Sequence, residues 1–176
     1  NSRVMHFEAS DGDLNLTKLT LRNGKTTGSY QGGGGIYFES NGTLSLTDSS
    51  VSENSVGGYE SRGGGIASRS GAITLTNSTL SGNSTSGEYG DGGGIFSVSG
   101  AITLTDSIIS GNSTSDNRSN GGGIWSSSGD ISLTNSSLSG NFTGGNRSSG
   151  GGIWSYASDI IVTNSTLDGN SAIEDG

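Results

Sequence analysis

The side chains that could do chemistry are few in this sequence. There is one histidine, His6, and no cysteine, so thiolate metal sites and disulfides are excluded. No motif supplies His6 with a nucleophile or an acid, and a Ser-His-Asp arrangement through it is not expected. Asp48 and Asp106 recur at a fixed spacing, but Asn77, Asn135 and Asn164 fall at the same spacing. Acids and amides therefore alternate there instead of pairing as general acid and base. Glu88 and Asp91, like Asp11 and Asp13, read as solvated turn residues. Arg118 and Arg147 sit at matching places and read as solvated too. The glycine runs do not form a phosphate loop, because Gly-x-x-x-x-Gly-Lys-Ser/Thr is absent. On these residues the chain reads as non-catalytic, with no cofactor and no metal.

The pattern that must position any site is a repeat. Gly-Gly-Gly-Ile occurs at 63–66, 92–95, 121–124 and 150–153, and with an extra glycine at 32–36. Ile66, Ile95, Ile124 and Ile153 are 29 residues apart. A second phrase follows each: Val51-Ser-Glu-Asn54, Leu80-Ser-Gly-Asn83, Ile109-Ser-Gly-Asn112, Leu138-Ser-Gly-Asn141 and Leu167-Asp-Gly-Asn170. A fixed period of this length marks stacked supersecondary units. Only 27% of the residues are hydrophobic and 34 are glycine, which alone would suggest disorder. The apolar residues fall in register, however, so stacking pools them into one core. Proline is absent, as suits a backbone whose N–H groups sit in ladders.

These features predict an all-β, single-stranded parallel β-helix of about six coils, each about 29 residues with three short strands. One domain covers residues 1–176, with an atypical first coil (1–31), regular coils (32–149) and an incomplete last coil (150–176). The clearest strand is Ala72–Asn77, whose alternation turns Ile73 and Leu75 inward and Thr74 and Thr76 outward. Ile66 and Leu80 join them inside. Aligning Leu16 with Leu46 puts Phe7 on the isoleucine column. One extra residue between Ile36 and Gly42 has the length of a β-bulge. Six coils at about 4.8 Å give a rod of ~29 Å.

Stacking turns each repeat position into a column. Asn54, Asn83, Asn112, Asn141 and Asn170 read as a structural ladder. Ten stretches match Asn-X-Ser/Thr, including Asn83-Ser-Thr85, so glycosylation is the functional alternative for them. The column after the isoleucine reads Ala67, Phe96, Trp125, Trp154, and is expected to form an outward aromatic strip that calls for a partner. Eight-residue loops at 55–62, 84–91, 113–120 and 142–149 carry Tyr59, Tyr89, Arg118 and Arg147. With the strip they make the candidate binding surface. Thr17, Thr47, Thr76, Thr105, Thr134 and Thr163 form a third outward column.

The two phrases carry a family resemblance. Gly63–Ile66 with Leu80–Asn83, and their counterparts over residues 4–170, resemble the right-handed parallel β-helices of the pectate-lyase-like group. They are closer to the repeat passengers of chlamydia-type polymorphic outer-membrane proteins, whose coils carry Gly-Gly-Ala-Ile and Phe-x-x-Asn. Here Gly replaces Ala, and Leu, Ile or Val replaces Phe. The resemblance implies a cell-surface adhesin, though the membrane barrel of such proteins is missing from this chain. The calcium-binding acid cluster and basic residue of the lyases, and the aspartate pairs of polygalacturonases, have no evident counterpart. A polysaccharide-binding or polysaccharide-degrading role is the alternative reading. Thr74/Thr76 and Thr103/Thr105 also resemble an ice-binding Thr-x-Thr face, which Ile161 interrupts.

The net charge is −8 with scattered lysine and arginine, which leaves no basic patch for nucleic acid. No apolar run reaches the roughly 18 residues of a membrane span, and no signal-peptide pattern heads the chain. Starting at Asn1, it reads as a segment of something longer. The expected location is extracellular or at the cell surface. The expected partner is another copy stacked head to tail through Met5, Phe7 and Ile173, or a host, cell-surface or glycan ligand.

Overall fold

The computed structural model describes residues 2–173. It is a parallel β-solenoid of six coils built from 24 short strands, with no helix among the described residues. Coils stack in register, so Leu16, Leu46, Leu75, Leu104, Leu133 and Val162 are successive partners, as are Ile36, Ile66, Ile95, Ile124 and Ile153.

Each coil has four strands, one more than the sequence predicts. In the fourth coil they are Ile95–Ser97, Ile102–Thr105, Ile108–Ser110 and Ser113–Thr114. The fourth strand is only two residues long and mostly Ser and Thr, so it carries no periodicity of its own. Pairing with the coils above and below makes it a strand. The eight-residue loops therefore begin with sheet and become corner only afterwards.

The chain turns between strands where the backbone goes left-handed. After the second strand this falls on Asp48, Asn77, Asp106, Asn135 and Asn164, with φ between 47° and 51°. Asn and Asp tolerate that region better than most side chains. Their alternation is thus a property of the corner, and Asn77 Nδ2 donates to Asp48 Oδ1 at 2.6 Å.

The two fixed phrases meet in space. In Gly92-Gly93-Gly94, the first glycine has φ of 69°. A Cβ on Gly93 would lie 2.4 Å from the Gly122 carbonyl oxygen, and one on Gly94 would lie 3.2 Å from Cγ of Asn112. Only glycine lets the Asn column pass beneath. Asn54, Asn83, Asn112 and Asn141 are fully buried: Asn112 Nδ2 donates to Leu80 O at 3.0 Å and to Asn141 Oδ1 at 3.0 Å. Its own Oδ1 accepts from the backbone N–H of Asn83 at 2.9 Å. The side chain thereby satisfies amides at a buried corner that no strand pairing reaches.

The core is a narrow column of Ile and Leu with Phe38 and Val51. Each coil contributes about four such side chains, too few to hold a coil alone, so stability is shared between neighbours. Two details of the first coils differ from expectation. Met5, not Phe7, pairs with Ile36; Phe7 pairs with Phe38, and the two rings stack inside at 5.5 Å. The extra residue before Gly42 is no bulge either. Strand Ile36–Glu39 pairs without interruption, and the corner that follows absorbs the residue. Counting back from Leu16 assumes corners of equal length, and the first two corners are longer.

Candidate functional site

The outer face of the first sheet carries one continuous column next to the buried isoleucines: His6, Tyr37, Ala67, Phe96, Trp125 and Trp154. Coil spacing near 4.8 Å sets ring upon ring. Centroids lie 4.5 Å apart for Phe96–Trp125 at 14° between planes, and 5.3 Å for Trp125–Trp154 at 9°. The stack ends on Tyr156, 6.3 Å from Trp154 and 78% exposed. This corrects the expectation of a freely outward strip. The rings spend their faces on one another, so Phe96 is 5% exposed and the two tryptophans are half-buried.

The column is interrupted at Ala67, where a cleft of about 300 Å³ opens. Tyr37 and Phe96 flank it, and Glu60, Arg62 and Arg69 line it. The Arg62 guanidinium sits 5.2 Å from the Phe96 centroid. Its Nε lies 3.5 Å from Asp91 Oδ2, and Nη2 lies 3.8 Å from Glu60 Oε2. The Tyr37 hydroxyl donates to Glu39 Oε1 at 2.9 Å, and burial followed by this bond raises its pKa. Asp91 is not the solvated turn residue that the sequence suggests. It is buried, and Oδ1 accepts the backbone N–H of Asn120 at 2.8 Å. Desolvation pushes its carboxyl up to about 6, against the pull of the Asn120 amide and of Arg62. Glu88, by contrast, is only partly buried.

A second column runs along the corner between the fourth and first sheets. Tyr30, Tyr59 and Tyr89 meet edge to face at 5.8 and 5.6 Å. The Arg118 guanidinium caps Tyr89 at 5.3 Å and reaches Glu88 at 3.4 Å. Arg118 is therefore engaged although exposed, whereas Arg147, equally exposed one coil on, makes no ion pair or ring contact among the described residues. The predicted binding residues thus fall into two columns: Phe96, Trp125 and Trp154 on one, Tyr59, Tyr89, Arg118 and Arg147 on the other. The cleft lies between them, with Tyr30 and Glu60 on one wall and Tyr37 and Phe96 on the other. Sequence reasoning missed Tyr37, Arg62 and Arg69 as a group. The signal was present, since Ala67 is the one small residue in an otherwise aromatic column.

His6 has partners after all. Its Nε2 is 2.9 Å from Glu39 Oε2, and one ligand atom each from His6, Glu8 and Glu39 lies within 4.8 Å of the others. Strand alternation puts His6 and Glu8 on one face and register brings Glu39 beside Glu8. Burial raises the Glu39 pKa. Hydrogen bonds from His6 and Tyr37, with the charges of His6 and Arg69, outweigh it and leave the carboxyl below its usual value. Among the described residues, these three side chains form the group that could hold a cation. The sequence suggested no metal ligands because they come from two coils.

Asn83, Asn112 and Asn141 are fully buried, so glycosylation there is incompatible with the folded solenoid. Met5 and Phe7 are partly buried against the core, and Ile173 is 51% exposed.

Fold and surface define a parallel β-solenoid repeat protein. No protein family, no curated protein and no solved structure matches the chain.

Proposed function

We propose that this chain is a non-catalytic, extracellular structural or adhesive solenoid that works by docking a further coil onto its end. One observation carries the reading. Ile160, Val162 and Leu167 of the sixth coil are 46%, 43% and 48% exposed, while Ile131, Leu133 and Leu138, their partners one coil below, are fully buried. Among the described residues nothing covers the core there, and the four sixth-coil strands are the last of their sheets. An edge of that kind recruits another strand. The contact is the same whether the next coil comes from the same polypeptide or from another copy. Between copies it is head to tail, which does not close on itself and gives a filament.

The resemblance to the outer-membrane passengers, which are adhesins, supports a cell-surface setting. Asp91 supports the non-catalytic reading, since its carboxylate is engaged by a backbone amide at a corner. The test is sedimentation velocity with electron microscopy over a wide concentration range. The chain should associate into rods longer than ~29 Å, and the double variant Val162→Lys, Leu167→Lys should stay monomeric with an unchanged strand signal in circular dichroism. A chain that remains monomeric at every concentration would sink the self-assembly reading.

A further inference from the structure

We propose that the gap at Ala67 is a binding site for a planar aromatic carboxylate, whose ring completes the interrupted aromatic column. Tyr37, Ala67 and Phe96 are strand partners on three consecutive coils, so the two rings stand two rungs apart, and the strand residue between them is an alanine. The remote face of each ring is already covered. His6 lies 5.1 Å from Tyr37 and Arg3 lies 4.8 Å above the same ring, both from the first coil; Trp125 stacks on Phe96. Of the faces that look across Ala67, that of Phe96 is met by the Arg62 guanidinium, and no ring stacks on that of Tyr37 among the described residues. Elsewhere this column places one flat ring on every rung, at 4.5 and 5.3 Å. The Ala67 rung carries no ring of its own and holds the flat Arg62 head group instead.

A second observation points to the charge of the ligand. The Arg62 guanidinium, itself flat, lies over Phe96 on this rung, yet its Nε is buried without a hydrogen-bond partner. The carboxylate of Asp91, at 3.5 Å, is too far to provide one. A buried N–H left unpaired is costly. Arg69, at the mouth of the cleft, is exposed and makes no ion pair among the described residues. A ligand ring that takes the rung displaces the Arg62 head group, which then pairs with the ligand carboxylate together with Arg69. An arginine fork suits a carboxylate in both geometry and charge. Stacking on two faces favours an aromatic ring over a saturated one.

The site is independent of the coil-docking surface at the sixth coil, so its test uses the monomer-forming variant and the unmodified chain side by side. The probe is 2-naphthoate, titrated by calorimetry and by the fluorescence of Trp125, one rung beyond Phe96. Saturable binding at one site per chain is expected. The neutral analogue 2-naphthalenemethanol should bind about tenfold more weakly, as should naphthoate to Arg69→Gln, because each loses a charge-assisted contact. Ala67→Trp fills the rung with the protein's own ring and should abolish binding while keeping the strand signal and raising thermal stability. Arg22→Gln, outside the cleft, should bind as the unmodified chain does. Absence of saturable binding, equal affinity for the neutral analogue, or undiminished binding by Ala67→Trp would each overturn the proposal.

Discussion

Asp91 shows how one residue can change meaning between chain and fold. In the sequence it precedes Gly-Gly-Gly and looks like any polar turn residue. In the structure it supports the next coil through the Asn120 backbone amide while lying buried beside Arg62. Its pKa is raised by desolvation from 3.8 to about 6. The folded state thus holds the proton more tightly than the unfolded state, and between about pH 4 and 6 it binds more protons. Stability from this group must fall as pH rises through that window and be lowest above it, by about 3 kcal/mol if no other group compensates. Asp91→Asn keeps an acceptor for the Asn120 amide and removes the ionisation. Urea titrations from pH 4 to 8 should show this variant with a flatter pH dependence than the unmodified chain, and at least equal stability at pH 7.5. An unaltered slope would mean that another group carries it.

At the scale of the element, the fourth strand is the instructive case. Ser113–Thr114 has no hydrophobic alternation, yet Thr114 is fully buried and its hydroxyl lacks a hydrogen-bond partner. Its column runs Thr26, Val56, Thr85, Thr114, Thr143, so valine already occupies one rung. Thr114→Val should therefore stabilise the chain by about 1 kcal/mol, since it removes an unpaired buried hydroxyl at nearly constant volume. The midpoint of urea unfolding reports this directly; a loss of stability would reveal a partner for the hydroxyl that the geometry does not show. The same element explains why three strands were legible and the fourth was not. Ile73 and Leu75, or Ile102 and Leu104, announce their strand by alternation. Ser113 and Thr114 are strand only because Ser84 and Thr85 lie beneath them and Phe142 and Thr143 above.

For the whole molecule, stability shared between neighbouring coils predicts a gradient. The strands Ala72–Thr76 and Ile102–Thr105 lie between two coils, whereas Ile160–Thr163 pairs on one side only and is exposed throughout. Amide hydrogen exchange should be slowest in the third and fourth coils and fastest in the sixth. Uniform protection along the axis would point to a single cooperative unit, or to a sixth coil covered by another copy.

The sequence by itself determined the coil. A 29-residue period, inward columns of Ile and Leu, a buried-corner Asn and a triple Gly leave little freedom, because parallel stacking places like on like and each column repeats one local demand. What it could not determine was whatever depends on two coils at once or on the length of a corner. Met5 rather than Phe7 continues the isoleucine column because the first corner is longer. His6 gains Glu39 from the neighbouring coil, and Asp91 lies buried beside Arg62 from the coil before. The aromatic column was readable as a list of residues. That its rings would stack face to face, bury Phe96 and leave a rung open at Ala67 was decided by the spacing between coils, a distance no single repeat encodes.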